Sequence, residues 1–215
     1  MFAIMDFVLV PDFADIGNIR KQLVECIPRE RSSAASIALF SCPAFRGPAT
    51  QIELANRWQQ RLVLQIQLEV LNAGSHLREQ LKKKPCRVYP SDLKLRIETT
   101  GLYTYPDLSV VCGEPQLESD GGDVLLNPVV LVEVLSDSTE AYDRGKKFEH
   151  YRTIPSLQHY VLIAQDRHSI DCFTRSADGS WNLTSCQGLD GKIRLDAIDS
   201  EVVGTEVYDK VVFAS

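Results

Sequence analysis

The chain has 215 residues, 44% of them hydrophobic, and a formal net charge of −6 at pH 7, which suits a globular protein of one domain or slightly more. This acidic balance argues against a protein that coats DNA without sequence preference, because such binding needs a broad basic surface. The sequence contains no run of about 18 apolar residues, which argues against a membrane-spanning helix.

The first 53 residues contain no catalytic constellation. Met1–Val10 is compatible with a strand and Ile16–Cys26 has helical spacing, and the breakers Pro28, Pro43 and Pro48 follow. The apolar start lacks a basic leader and makes a poor signal peptide, so we expect a cytoplasmic location.

The cysteines show no metal-binding pattern. They form no Cys-x-x-Cys pair, and none has a histidine at zinc-ligand spacing. We expect scattered reduced thiols, with structural zinc or a disulfide as the alternatives. The six are Cys26, Cys42, Cys86, Cys112, Cys172 and Cys186.

A long helix is predicted from about Ile52 to Leu81, either continuous or broken at Gly74-Ser75, because apolar residues recur there at helical spacing. Cys86–Ile97 alternates between apolar and polar residues and predicts a strand, which Pro90 is able to interrupt. Tyr105–Cys112 predicts the next strand, in an antiparallel hairpin with the first.

An acidic loop over Gly113–Asn127 precedes Val129–Leu135, whose nearly continuous apolar character predicts a central strand. A helix then runs to about Thr153, with Asp137 at its cap. His159–Ala164 predicts a fourth strand, and a hairpin turning at Asp178-Gly179 joins two more. The chain is therefore predicted to be α/β, with a mixed sheet and a C-terminal β-hairpin.

Two of these apolar runs carry an acid. Asp107 opens one strand and Glu133 lies inside another, and a buried carboxylate is unfavourable unless something pairs with it. Two such acids on neighbouring strands indicate a divalent metal with oxygen ligands, to which the Val134 carbonyl could add a third. Lys147 shares a helix face with Asp143 and could stabilise charge on a phosphate.

Each residue also has a purely structural interpretation. Asp107 could form a hydrogen bond with the backbone at the start of a strand, and Glu133 could form a buried salt bridge to Arg144 or Lys147. Lys147 taken alone resembles an ordinary surface lysine, and Lys146 lies on a different side of the helix. Taken together, Asp107, Glu133 and Lys147 favour a metal site.

The motifs at these positions resemble a known family. They are Tyr-Pro-Asp (105–107), Glu-Val-Leu-Ser (133–136), Ser-Thr (138–139), Asp-Arg-x-x-Lys (143–147) and Tyr151. Together they resemble the Uma-type restriction endonucleases of bacteria, which belong to the PD-(D/E)XK nuclease superfamily. The resemblance extends from about Leu77 to the C-terminus.

The resemblance implies a restriction-endonuclease-like core of helix, three strands, helix and strand. It also implies DNA cleavage that depends on Mg²⁺ or Mn²⁺, with Asp107 and Glu133 as metal ligands. In the superfamily the lysine usually lies two residues after the second acid, where this chain has Leu135. The family pattern implies that the lysine has moved to the following helix, as Lys147.

The N-terminal part departs from the family. Relatives usually open with a strand pair that carries an Asp-Gly-Glu motif, and no such motif precedes residue 77. Glu53 and Glu69 are possible substitutes for its acid. We accordingly divide the chain into a divergent region, 1–53, and a nuclease domain, 54–215.

The sequence therefore predicts a metal-dependent endodeoxyribonuclease, a hydrolase of DNA phosphodiester bonds. The alternative is an inactive nuclease-fold remnant that acts as a nucleic-acid-binding or protein-binding module. A third reading is a metal-dependent hydrolase of smaller substrates. DNA is the expected partner, and a homodimer is expected because each chain would hold one site while both strands are cut.

Overall fold

A computed structural model describes residues 49–118, 123–136 and 139–213, with side chains from residue 63 onward. The chain divides into two compact units, Met1–Leu64 with Asp137–Thr139 and Gln65–Ser136 with Glu140–Ser215. The side chains discussed below belong to the second unit. The elements predicted before residue 49, and the predicted cap at Asp137, lie outside the described residues. The division between residues 53 and 54 stays a prediction.

The helix α1, Ala49–Leu81, is one continuous element that passes through Gly74 without a break. Its inward stripe has the spacing of a helix face and consists of Ile66, Val70, Ala73, Leu77 and Leu81. A Cβ on Gly74 would lie 3.2 Å from a methyl carbon of Leu108. The missing side chain at Gly74 therefore lets α1 pack closely against the strand that begins at Leu108.

Eleven strands follow in the described residues: β1 Cys86–Pro90, β2 Lys94–Ile97, β3 Leu102–Thr104, β4 Leu108–Cys112, β5 Val124–Leu125, β6 Val130–Leu135, β7 His159–Ala164, β8 Ser169–Arg175, β9 Trp181–Gln187, β10 Lys192–Leu195 and β11 Ser200–Val203. The described helical elements after α1 are α2 Glu140–Tyr142, a π-helical turn Asp143–Lys147, α3 Phe148–Tyr151, a 3₁₀ turn Asp196–Ile198 and α4 Gly204–Val207.

Six strands form the central sheet in the order β1-β4-β6-β7-β8-β9. Neighbours are antiparallel except for β6 and β7, which run parallel, so the predicted mixed sheet is confirmed. The strand β6 is central and fully buried, as its apolar run predicts. Two small sheets accompany it, β3-β2-β5 and β10-β11.

Side chains of the central sheet alternate between two cores. We call first core the one that α1 and the β10–β11 pair help to form, and Val132 and Val134 point into it. We call second core the one on the opposite face, which holds Leu131, Leu135 and Tyr151. Glu133 lies between Val132 and Val134 in the strand, so its side chain points toward the face of the second core.

Three local predictions need correction. The expectation of reduced thiols is wrong for Cys86 and Cys112, which are register partners on β1 and β4 and form a disulfide. The predicted hairpin of residues 86–97 and 105–112 is instead a β1–β4 pair, because β2 and β3 leave it to form a sheet with β5. The helix predicted up to Thr153 ends at Tyr151 and contains the π-helical turn.

In the described part of the chain, no helix combines the length and the apolar character that a membrane span requires.

Candidate active site

Asp107 lies directly before β4 and is buried. The last residue pair between β4 and β6 joins Leu108 to Val132, which brings Asp107 beside the end of β6. Its Oδ2 accepts a hydrogen bond from the Val134 backbone N–H at 2.8 Å. The N–H and C=O of one strand residue point to the same neighbouring strand, so the Val134 carbonyl faces the same side as Asp107.

Glu133 is 4% exposed and has two polar partners on the helical segment that follows β6. Its Oε1 lies 2.7 Å from Lys147 Nζ. The same oxygen accepts a hydrogen bond from the Tyr151 hydroxyl at 2.9 Å. The unfavourable free energy of burying this carboxylate in the strand is therefore offset by its contacts with an ammonium group and a phenol.

The π-helical turn supplies the rest of the cluster. Lys147 Nζ lies 3.0 Å from Asp143 Oδ1, and both side chains are buried. A π-helical turn widens a helix by one residue, and such turns are frequent at functional sites. Lys146, the adjacent lysine, is exposed. The structure thus brings Asp107, Glu133 and Lys147 together and leaves Lys146 outside.

Further contacts hold this helical segment on the sheet. The Tyr160 hydroxyl donates to the Asp143 backbone carbonyl at 3.2 Å. Arg144 bridges Asp171 at 2.6 Å and Glu140 at 2.8 Å. Arg144 is therefore engaged elsewhere, and Lys147 is the residue that forms the predicted salt bridge with Glu133.

The site carries an excess of negative charge. Among the described residues, Asp107, Glu133 and Asp143 face the ammonium of Lys147, so the formal charge is −2 when all three carboxylates are ionised. Burial raises the pKa of Glu133 to about 7; Lys147 lowers it, whereas Asp107 and Asp143 raise it further. A buried acid with a perturbed pKa beside specific charged partners is typical of functional sites.

The partners of Glu133 titrate away from their usual ranges as well. Burial opposes the charge of Lys147, but Glu133 and Asp143 outweigh it, so the pKa of Lys147 lies above its usual value. Burial, followed by the charge of Glu133, raises the pKa of Tyr151 well above its usual value. Lys147 therefore stays a cation and Tyr151 a neutral donor near pH 7.

The available donors fit a hard divalent cation. Among the described residues, no three His, Cys, Asp or Glu side chains are grouped as a metal site by themselves. The set at hand is Asp107, Glu133 and the Val134 carbonyl, all of them oxygen donors. Mg²⁺ usually keeps several waters and takes one or two carboxylates from the protein. A divalent cation would also balance the charge of −2.

Two other acids that the structure describes, Asp92 and Glu69, lie outside this cluster. Asp92 is exposed in the turn between β1 and β2. Glu69 lies on α1, where burial and then the charge of Asp166 raise its pKa. The Glu53 side chain lies outside the described residues. The structure therefore shows no substitute for the missing N-terminal acid among the described side chains.

Two of the histidines, His159 and His168, have structural surroundings. His159 accepts a hydrogen bond from the Ala197 N–H at 3.2 Å and contacts the Thr174 hydroxyl at 3.1 Å. His168 stacks edge-on against Tyr208 and Phe213. These contacts account for their positions without a ligand role.

Sequence reasoning gave too little weight to two members of the cluster. Asp143 completes the ion-pair network, and Tyr151 holds Glu133. Their common signal was the four-residue spacing of Asp143, Lys147 and Tyr151, which places all three on one helix face.

Comparisons with known proteins identify a family and a shared fold. Residues 62–203 match the model of the Uma2 family, described as "Putative restriction endonuclease". A crystal structure of a putative nuclease belonging to DUF820 from Anabaena variabilis shares the fold, with a TM-score of 0.57 at 15% identity over 69% of this chain and 82% of that one.

Two uncharacterized proteins of Synechocystis sp. are similar in sequence. The protein slr1290 is 38% identical over 128 residues, which are 60% of this chain and 66% of that protein. The protein sll1609 is 36% identical over 106 residues, which are 49% of this chain and 60% of that protein. The chain thus spans less than two thirds of the length of either relative.

The family match covers about two thirds of the chain, and it includes the strands and the helical segment that build the buried acidic cluster. The fold is the restriction-endonuclease-like one that the sequence predicts, and the Anabaena variabilis structure shares it. The chain belongs to the Uma2 family of restriction-endonuclease-like proteins.

Proposed function

We propose that the chain is a metal-dependent endodeoxyribonuclease that hydrolyses DNA phosphodiester bonds. The observation that carries the proposal is the meeting of Asp107, Glu133 and Lys147 in one buried cluster at the end of β6. Membership of the Uma2 family and the nuclease fold of the Anabaena variabilis structure support it.

The proposed metal ligands are Asp107, Glu133 and the Val134 carbonyl. Mg²⁺ or Mn²⁺, when bound, would polarise the phosphate and lower the pKa of a coordinated water. Both protein contacts of Glu133 are made to Oε1, and they fix the carboxylate so that Oε2 can serve the ion. The Val134 N–H holds Asp107 through Oδ2.

Lys147 has the role of stabilising charge. Its ammonium keeps its proton near pH 7 because the pKa is raised by Glu133 and Asp143. Charge-assisted hydrogen bonds from such a buried cation are strongest where negative charge develops on a phosphate in the transition state. Asp143 and Tyr151 are positioning residues, since they act through Lys147 and Glu133.

Cleavage of supercoiled plasmid tests the proposal. Purified protein with Mg²⁺ or Mn²⁺ should nick the plasmid, and EDTA should stop it. Asp107→Asn and Lys147→Met should each lower the rate by about 100-fold or more, the size of loss seen when a charge-stabilising group is removed. Lys146→Met is the matched control, and its rate should stay within about twofold of wild type.

Two results would overturn the proposal. Equal cleavage by all four proteins would assign the activity to a contaminant or to another site. A folded wild type that binds Mn²⁺ and leaves DNA intact would support the alternative, an inactive remnant that binds nucleic acid or protein.

A further inference from the structure

A row of two exposed tyrosines and two half-buried cations leads to the candidate site from the small sheet of β2, β3 and β5. We call it the aromatic strip, and it consists of Lys94, Arg96, Tyr103 and Tyr105. Its backbone is well anchored, because Leu95 and Ile97 are fully buried in the second core. Their neighbours in the strand therefore point outward.

The members of the strip lie close to one another. Lys94 Nζ is 4.9 Å from the centroid of the Tyr103 ring and 5.9 Å from that of the Tyr105 ring. The Arg96 guanidinium carbon is 5.6 Å from the Tyr103 centroid. Cations and aromatic rings thus alternate along the surface.

The two ends of the strip differ in their charge balance. Arg96 is paired with Glu118, which also accepts a hydrogen bond from the Tyr103 hydroxyl at 2.9 Å. Within the described residues, Lys94 has no carboxylate partner at ion-pair distance. Tyr105 is 54% exposed, so a large part of the side chain is open to solvent.

The Lys94–Tyr105 end also adjoins the acidic cluster. Tyr105 precedes Asp107 by two residues in the chain. The side chain of Thr104, between Tyr103 and Tyr105, lies near enough to the Tyr151 phenol to lower its pKa, and this phenol holds Glu133. A nucleotide bound at Tyr105 would therefore lie next to a phosphate at the divalent cation that Asp107 and Glu133 would hold.

We propose that the aromatic strip binds unpaired DNA nucleotides beside the cleavage site, with a base stacked on Tyr105 and the adjoining phosphate on Lys94. Base-stacking rings alternating with cations are the arrangement by which proteins track single strands. A duplex hides its base faces, so the strip selects single-stranded or locally unpaired DNA. This inference rests on the proposed nuclease function for its biological meaning.

Binding measured without metal tests the strip separately from cleavage. The probe is a fluorescent oligothymidine of about 20 nucleotides, longer than a typical single stacking site, with a duplex of equal length for comparison. In EDTA, the full chain should bind the single strand more tightly than the duplex. Tyr105→Ala should weaken single-strand binding by about tenfold to hundredfold, the equivalent of one lost stacked base.

The remaining variants separate stacking from charge. Tyr105→Phe keeps the ring and should bind like wild type. Lys94→Gln should reduce the slope of log affinity against log salt by about 0.7, the loss of one single-strand phosphate contact. Leu183→Ala, at an exposed position on the far-edge strand β9, is the control for general surface change.

Equal affinity for single strand and duplex would overturn the proposal for the aromatic strip. A Tyr105→Ala variant that keeps both the wild-type melting temperature and the wild-type affinity for the single strand would overturn it as well. Plasmid cleavage decides the nuclease function by itself. If the protein binds the oligothymidine through Tyr105 but cleaves no plasmid, the proposed binding role of the aromatic strip stands and the proposed nuclease function is refuted.

Discussion

Two glutamates of the second unit are buried to nearly the same extent, and they differ in what surrounds them. Glu133, in the central strand, is 4% exposed and contacts Lys147 and Tyr151. Glu69, on α1, is 0% exposed, and neither of its carboxylate oxygens has a hydrogen-bond partner among the described residues.

The pKa of both carboxyls is raised, mainly by burial, to about 7 for Glu133 and about 8 for Glu69. For Glu133, a lysine at 2.7 Å opposes burial. For Glu69, the charge of Asp166 acts in the same direction as burial. The comparison teaches that burial alone does not mark a functional acid. A functional acid is distinguished by partners that converge on it and that can also contact a substrate or an ion.

The largest effect is expected at the cation that distinguishes the two sites. Lys147→Met leaves Glu133 and Asp143 buried without their counter-charge, which should lower the free energy of unfolding by about 3–5 kcal/mol. Urea unfolding at pH 7 measures it. Added Mn²⁺ should restore part of the loss, because the ion replaces the missing positive charge.

Lys146→Met is the matched control for stability, and its change should stay within about 0.5 kcal/mol. A Lys147→Met protein as stable as this control would show that Lys147 is not the counter-charge of the cluster.

The titration of Glu69 should contribute to the pH dependence of the free energy of unfolding. Its pKa in the folded protein, about 8, lies above its ordinary value of 4.5, so the folded state holds a proton that the unfolded state releases. The contribution of the Glu69 carboxyl to the free energy of unfolding of the wild type is fully present below pH 4.5 and is lost as the pH rises toward 8. Glu69→Gln should remove this loss and gain about 2–4 kcal/mol over wild type at pH 9.

The measurement is the difference in unfolding free energy between Glu69→Gln and wild type from pH 5 to pH 9. Because Glu133 is present in both proteins, its own titration cancels. A difference that does not grow with pH would mean that Glu69 is ionised in the fold. Glu69→Leu should stabilise at every pH in this range, since it also removes the unpaired oxygens.

The smallest effect is expected at Tyr151. Tyr151→Phe removes the hydrogen bond to Glu133 and keeps the buried ring, which should lower stability by about 1–2 kcal/mol. Thermal unfolding measures it, and Tyr142→Phe, at an exposed tyrosine of the same helical segment, is the control. Equal melting temperatures for the two variants would show that the phenol contributes nothing to holding Glu133.

The sequence allows much of this architecture to be predicted. The branched run of Val130–Leu135 identifies a central strand because few other structures bury every side chain of such a run. Asp107 and Glu133 stand out because they are charges at the start of one apolar strand and inside another. The helical spacing of Asp143, Lys147 and Tyr151 predicts that they share a face, and the structure places them against Glu133.

Other features depend on contacts that no local pattern encodes. The Cys86–Cys112 disulfide follows from the register of β1 and β4, since the two residues are 26 positions apart. Strand β2 continues the alternation of β1 but pairs elsewhere, with β3 and β5. The π-helical turn has no residue signature of its own, and the isolation of Glu69 is a property of its surroundings in three dimensions.

The most direct test makes the same chemical change at both buried glutamates. Mn²⁺-dependent plasmid cleavage is measured for Glu133→Gln and Glu69→Gln beside wild type, with melting temperatures as the check on folding. The account predicts a loss of about 100-fold or more for Glu133→Gln and a rate within about twofold of wild type for Glu69→Gln. Equal rates for the two variants, or a loss confined to Glu69→Gln, would contradict it.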